Sequence, residues 1–246
     1  IGGRAALSLH VVDETTLHAM TPPGIDGPRD LHLVGNMGST TLRKAYRYVS
    51  APVIESCIPA AIPAGRAVSV TALGPGLDQA DSAGVSPGQI NAFAPLGKDA
   101  LELALAPAKP GPIAVTVTTP GGTTTLPDGL WALSSSEAGS TLPRILGLAP
   151  SRGSQTGGEI RAAVVAGLGT LEQAQVAVTF DGVPAEVLGI SASGHTVSIV
   201  VPPHAEGLVD VALRTPAGED TLAVGYEYLP EVMATTAFCS GITMQY

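Results

Sequence analysis

Charge, aromatic rings and cysteine are all scarce in this chain of 246 residues. Charged residues make up 13% and hydrophobic residues 45%, which excludes a disordered polyelectrolyte and leaves enough apolar matter for packed cores. Aromatics are only 4%, so those cores must be built from Val, Leu, Ile and Ala. No cluster of Lys and Arg stands out, and the net charge is −9 with a pI near 4.9. A nucleic-acid binder needs concentrated cations to displace phosphate counterions, and an electrostatic grip on an anionic membrane needs the same. Both partners are therefore excluded. The longest apolar runs, such as Ile160 to Leu168, are interrupted and too short to span a bilayer, so no membrane insertion is expected. The first residues, Ile1-Gly2-Gly3-Arg4, form no basic leader. The sequence reads as a mature or cropped piece of something longer, with any targeting signal outside it. The two cysteines, Cys57 and Cys239, are too few for a zinc site by themselves. In an oxidising compartment they could form a disulfide tying the C-terminal tail to the middle of the chain; otherwise they are two thiols.

Glycine (30) and proline (21) are plentiful instead. Both break helices and supply turns, which favours many short strands. The chain also repeats itself. Thr16-Leu17-His18-Ala19-Met20-Thr21-Pro22-Pro23, followed by Gly27-Pro28-Arg29-Asp30-Leu31-His32-Leu33 and by Gly38 to Tyr48, aligns without a gap with a second stretch. That stretch is Thr196-Val197-Ser198-Ile199-Val200-Val201-Pro202-Pro203, then Gly207 to Leu213, then Gly218 to Tyr228. A weaker middle copy runs from Leu101 through Gly111-Pro112-Ile113-Ala114-Val115-Thr116-Val117 and Gly121-Gly122 to Leu130-Trp131-Ala132-Leu133. The aligned glycines Gly27, Gly111 and Gly207 lie 84 and 96 residues apart, the size of a small sandwich domain. Val197, Ile199 and Val201 alternate with Thr196, Ser198 and Val200, and Val209, Val211 and Leu213 alternate with Asp210, Ala212 and Arg214. Period two predicts strands with one buried and one wet face. Thr119-Pro120-Gly121-Gly122 and Thr215-Pro216-Ala217-Gly218 read as hairpin turns, and the closing Tyr-x-Tyr as a core anchor.

These residues resemble the IPT/TIG family of immunoglobulin-like domains, found in plexins, Rel-type transcription factors and many bacterial surface proteins. The third copy carries Ile145-Leu146-Gly147-Leu148-Ala149-Pro150, Thr156-Gly157-Gly158, Val178-Thr179-Phe180-Asp181-Gly182-Val183-Pro184-Ala185, Val201-Pro202-Pro203 and Tyr226-Glu227-Tyr228. It departs from the pattern in the longer stretch of residues 162–175. In the first copy, Ile1-Gly2-Gly3-Arg4-Ala5-Ala6 matches the Phe-Gly-Gly-x-x-Ala element, and the opening strands that should precede it are missing. The middle copy keeps Pro52-Val53-Ile54 and Pro63 to Val68 but has lost two of the motifs. The resemblance implies an all-β chain of tandem immunoglobulin-like β-sandwiches. Residues 1–50 would be a partial module, 51–134 a degenerate one, 143–229 a full one and 230–246 a tail. The absent strands would come from residues ahead of Ile1, the reading preferred, or from a partner chain.

Chemistry-bearing patterns are few. His10, His18, His32, His195 and His204 show no metal-ligand spacing and read as surface residues. Asp13-Glu14, Asp78 with Asp81, and Glu219-Asp220 fall in turns, where such side chains serve local hydrogen bonding. Asp78 to Asp81 lacks the spacing of a calcium loop. No glycine-rich loop opens a helix, no Gly-x-Ser-x-Gly elbow occurs, and Ser134-Ser135-Ser136 resembles a linker. No catalytic residue, metal ligand or cofactor is expected, and the chain is not read as an enzyme. The expected role is a structural or adhesive module of an extracellular or cell-surface protein, in rod or filament form, with protein partners or self-association. The rival reading is a carbohydrate-binding or substrate-positioning accessory of a secreted enzyme. Sugar stacking needs exposed aromatics, and Tyr46, Trp131 and Tyr226 sit where the resemblance places core anchors.

Overall fold

The computed structural model describes residues 1–230. It is all-β, a series of immunoglobulin-like β-sandwiches built from 21 strands and one short α-helix among the described residues. The chain divides into two compact units. One comprises Ile1–Pro59, Gly65–Ala108 and Ala114–Leu126; the other comprises Ala60–Ala64, Lys109–Ile113 and the chain from Pro127 onward.

The four N-terminal strands are β1 (Ser8–Val11), β2 (Leu17–Met20), β3 (Gly27–Gly35) and β4 (Gly38–Tyr48). They form only two two-stranded antiparallel sheets, β1-β2 and β3-β4. The next eight are β5 (Ser56–Ile58), β6 (Ala61–Pro63), β7 (Val68–Leu73), β8 (Ser82–Ser86), β9 (Gln89–Gly97), β10 (Ala100–Ala106), β11 (Gly111–Thr119) and β12 (Gly122–Leu133). Their sheets run in the orders β5-β7-β10-β9 and β6-β12-β11-β8. After α1 (Ser135–Ala138) come β13 (Arg144–Ala149), β14 (Arg152–Ser154), β15 (Ile160–Ala166), β16 (Ala177–Phe180) and β17 (Val183–Pro184). The chain closes with β18 (Glu186–Ile190), β19 (Thr196–Val200), β20 (Gly207–Thr215) and β21 (Gly218–Leu229). Here the orders are β13-β15-β19-β18 and β14-β21-β20-β16-β17.

The two larger strand sets share one wiring. β5 leaves its sheet through the cis Ile58–Pro59 bond, and β6 then pairs in parallel with β12. β13 leaves through cis Ala149–Pro150, and β14 pairs in parallel with β21. Proline terminates a strand because it brings no N–H to the ladder. One segment therefore serves both sheets.

The alternation expected from sequence sets the C-terminal core. Val197, Ile199, Val209, Val211 and Leu213 are buried together with Ile145, Leu148, Ala163, Val165, Val178 and Phe180, while Ser198, Asp210 and Arg214 face solvent. Each buried Val, Leu or Ile side chain contributes about 1.5–3 kcal/mol relative to exposure. Tyr226 and Tyr228 both point inward, and the Tyr228 hydroxyl donates to the Pro202 carbonyl at 2.7 Å. The N-terminal copy repeats this corner: Tyr48 donates to the Pro22 carbonyl at 2.6 Å.

Backbone conformation repeats three times as well. Gly27, Gly111 and Gly207 have φ of 111°, 118° and 130°, and Gly38, Gly122 and Gly218 have φ of 143°, 139° and 147°. Six residues after each of the latter, a non-glycine takes a left-handed conformation: Lys44 (φ 52°), Asp128 (50°) and Val224 (55°). In two copies an aspartate holds the bend. Asp30 Oδ1 accepts from the Lys44 amide at 2.7 Å, and Asp210 Oδ1 accepts from the Val224 amide at 2.8 Å. The middle copy has Ala114 at that register, and there the Asp128 carboxylate accepts from Ser151 Oγ at 2.6 Å.

Ser134-Ser135-Ser136 is not a linker. Ser134 caps α1, accepting from the Glu137 amide at 3.2 Å while Glu137 Oε2 accepts from the Ser134 amide at 2.7 Å. This reciprocal capping box satisfies two otherwise orphaned donors.

Candidate interaction surfaces

Within the second unit, a small apolar cluster stands apart from the main core. It joins Ala60, Leu133, Leu146, Ala149, Val164 and Ala166, with Ala61, Trp131 and Ala162 packed against it. β6 and β12 supply one side and β13 and β15 the other. The neighbouring residues Ile145, Leu148, Ala163 and Val165 face the main core, so β13 and β15 are buried on both faces. That explains why Ile145 to Ala149 and Ala162 to Ala166 are continuous apolar runs, since alternation is lost where both faces are covered. The signal available in the sequence was the unbroken apolar stretch Ala162 to Ala166 inside the interrupted Ile160–Leu168 run.

Trp131, expected as a core anchor of the middle copy, is half-buried and sits against Gly147. A Cβ at Gly147 would overlap the six-membered ring of Trp131, so glycine makes room for the indole. A shift in the β13–β15 register between Ile145 and Gly147 bends the strand there. A cavity of about 180 Å³ beside the ring is lined by Asp128, Leu146, Ser151 and Val224, among others.

The second surface is the open side of the N-terminal strands. Leu9 and Val11 pair with Ala19 and Leu17, so all four share one face. Leu9 is 61%, Val11 65% and Leu17 37% exposed, whereas Val197, at Leu17's place in the gap-free alignment, is fully buried. Leu31 and Leu33 on β3 are half-buried, against fully buried Val211 and Leu213.

The polar candidates do not converge. Among the described residues, no group of three or more His, Cys, Asp or Glu side chains is arranged to hold a metal ion. His10, His18 and His32 are exposed as expected; His195 is half-buried with its Nδ1 enclosed and lacking a hydrogen-bond partner in the structure. Asp13 accepts from the Thr15 amide (2.8 Å) and hydroxyl (2.9 Å), and the amide bond first of all holds its carboxyl below the usual value. Glu219 pairs with Arg214 at 2.9 Å, and Asp220 accepts from the Ile145 amide. These are turn and strand-end roles. Of the aromatics considered for sugar stacking, Tyr226 is buried, and Tyr46 stacks edge-on against Tyr48 with centroids 4.9 Å apart. An open groove of about 530 Å³ on the C-terminal sandwich is lined by Glu172, Gln173, Val176, Ala185 and Val187, with no aromatic ring.

Cys57 is buried on β5, and loss of solvation pushes its thiol from 9.0 up to about 12. Cys239, the other cysteine of the disulfide weighed against two thiols, lies outside the described residues, as does the tail from residue 231. Burial likewise raises Tyr226 from 10.0 to about 12 and raises Tyr228. All three groups are neutral in the folded chain. Above pH 9 the unfolded chain releases its protons first, so stability is complete below pH 9 and declines as the pH climbs toward 12. Cys57 contributes first and the tyrosines only above about pH 10, each with a limiting slope of at most about 1.4 kcal/mol per pH unit. Urea midpoints measured from pH 8 to 11 should fall steadily; Tyr226→Phe and Cys57→Ala should each flatten the decline.

No protein-family profile matches this chain, and no curated protein matches it. Solved structures do. The extracellular region of plexin A4 is 16% identical over 80% of this chain, with a TM-score of 0.30. The D0-D1 domain of intimin is 13% identical over 72% of this chain and 98% of its own, with a TM-score of 0.35. SGBP-B, from a xyloglucan utilization locus in Bacteroides uniformis, is 13% identical over 72% of this chain and 49% of its own, at 0.30. The chain spans only 20% of the plexin region. Likenesses this distant carry no functional argument, and the immunoglobulin-like assignment rests on the strand orders above.

Proposed function

We propose that this chain is a tandem IPT/TIG-type segment of a secreted or cell-surface protein, acting as a stiff structural and adhesive spacer and not as a catalyst. The observation that carries the reading is the apolar cluster around Trp131 and Gly147. Sandwiches strung on a free linker would keep their outer faces polar; here β13 and β15 carry Leu146, Val164 and Ala166 outward to meet Ala60, Trp131 and Leu133. Burying such side chains is worth about 1.5–3 kcal/mol each, which ties β6 and β12 to β13 and β15 within the second unit. The capped turn at Ser134 and Glu137 shortens the free chain across the same junction. Low charge and Thr-rich strands suit a surface rod whose partners are proteins or further copies of itself.

Trp131 is the sole tryptophan, so its fluorescence reports the cluster directly. The chain should show a blue-shifted emission, shielded from iodide. Gly147→Leu should drive the ring out, shift the emission to the red and split one unfolding transition into two. An emission from the unsubstituted chain that is already red and freely quenched removes the basis for a stiff spacer.

A further inference from the structure

Each sheet of the two larger strand sets ends on two edges, and an unguarded edge recruits another strand. Most of these edges carry a guard. β5, β6 and β14 are three residues long, and β17 is two residues long and ends on Pro184. β9 carries Pro95 and two register shifts. β13 carries Arg144 and a shift, and β18 carries Glu186 and a shift. β8, which reads Ser82-Ala83-Gly84-Val85-Ser86, has none of these devices. It holds no charge and no proline, and it pairs with β11 without a shift. In the C-terminal sandwich the corresponding strand, β16, is flanked by β17; beside β8 no strand takes that place among the described residues. The inner side of this edge is thinly covered as well. Ala83 and Val85 pair with the buried Val117 and Val115 and so point into the sandwich, yet both are only half-buried. Phe93 on β9 pairs with the buried Leu103, which places it on the inward face of the other sheet, and it is 36% exposed.

The sequence of β8 is its own complement. Laid antiparallel on a second copy about a two-fold axis at Gly84, Ser82 meets Ser86, Ala83 meets Val85 and Gly84 meets Gly84. Asp81 at one end meets Pro87 at the other, so no like charges are opposed. On the inner face the row Val117-Ala83 runs on into Val85-Val115 of the second copy, and the half-buried pair of each edge is closed over. On the outer face a Cβ at Gly84 meets nothing within 4 Å, so no part of the chain stands over the axis. We propose that the β8 edge is a self-association site, at which a second copy of this chain adds its own β8 antiparallel and joins two four-stranded sheets into one continuous sheet. The proposal names the partner of the spacer described above and rests on that reading only for the role of the contact, the lateral pairing of neighbouring chains. A joint of five residues belongs with the small, transient interfaces below about 1,200 Å², so it forms where chains are crowded.

The test follows the 246-residue chain by sedimentation equilibrium from about 5 μM to about 1 mM, with Trp131 emission read on the same samples. The chain should pass reversibly from monomer to dimer. Gly84→Lys sets two ammonium groups against each other at the axis and should weaken the dimer at least about tenfold, whereas Gly84→Ala should leave it intact. Gly84 is not left-handed and has open space above it, so both variants should fold, which circular dichroism and urea midpoints check. With Cys239→Ser as background and Cys57 buried, Gly84→Cys should cross-link under mild oxidation, because directly opposed residues lie about 4.5–5.5 Å apart, within disulfide reach. Ala92→Cys, on the guarded edge β9, should not. Three results overturn the proposal: a chain that stays monomeric at the highest concentration, a dimer that Gly84→Lys leaves intact, or cross-linking as ready at position 92 as at 84. The emission separates this failure from that of the spacer reading. A monomer with blue, shielded emission removes the joint alone, and a dimer with red, quenched emission removes the stiff spacer alone.

Discussion

Phe180→Ala should cost the C-terminal sandwich about 3–5 kcal/mol, the largest loss expected of any single truncation in the chain. Phe180 has no solvent exposure and stands at the meeting point of both sheets' inward rows. Its ring meets Tyr226 edge-on at 5.2 Å and 90°, and Tyr228 at 6.2 Å and 69°. Removing it forfeits the transfer energy of a buried phenyl and leaves a cavity. It also takes the edge-to-face partner from both tyrosines, worth about 0.5–1.5 kcal/mol per pair beyond area. Neither tyrosine can collapse freely into the gap: Tyr228 is held by its bond to Pro202, and Tyr226 meets Tyr228 edge-on with centroids 5.0 Å apart. Phe93→Ala is the matched control, since Phe93 lies on the edge strand β9 and is 36% exposed. It should cost about 1 kcal/mol or less. Urea titrations followed by circular dichroism measure both; a Phe180→Ala loss no larger than that of Phe93→Ala would remove the aromatic cluster from the core.

Much of this fold was legible because the repeat writes its backbone needs as residue types. The glycines of the three copies occur where φ is positive in all three, and the Tyr-x-Tyr ends point inward because period two puts them on one face. The aspartates at 30 and 210 were visible in the alignment, but their work was not. They hold the left-handed bends at Lys44 and Val224, residues whose identities give no hint of that conformation. The apolar cluster was hidden for a different reason. Ala60, Gly147 and Ala166 are small and chemically mute, and only their juxtaposition with Trp131 gives them a role. Sequence periodicity finds which face of a strand is buried; it does not say what covers the second face when both are apolar. The shared wiring of the two larger strand sets, antiparallel on one sheet and parallel where β6 meets β12 and β14 meets β21, came only from the strand pairings.

Gly167→Ala should cost about 3 kcal/mol or more, while Gly169→Ala, two residues along, should cost only about 1 kcal/mol. Both glycines are left-handed, with φ of 75° and 56°, so an alanine at either pays the same backbone penalty of about 1–2 kcal/mol, partly offset by a stiffer unfolded chain. What differs is space. A Cβ at Gly169 meets nothing within 4 Å, whereas one at Gly167 would overlap the carbonyl of Leu142 and crowd the nitrogen of Pro143. Those backbone atoms lead directly into β13, whose first ladder partner Arg144 pairs with Ala166 at the end of β15. Neither side can give way without opening that pair, and the Ile145 amide just beyond is tied to the Asp220 carboxylate at 2.9 Å. The added methyl therefore pries β13 from β15 at the Arg144–Ala166 pair, and Ala166 is itself a member of the Trp131 cluster, so the damage should show in two readouts together. The unfolding midpoint drops, and the tryptophan emission shifts toward the red even before unfolding. Equal losses for the two alanines would mean that left-handed strain alone sets the cost and that the close approach of residue 167 to residue 142 does not hold in solution.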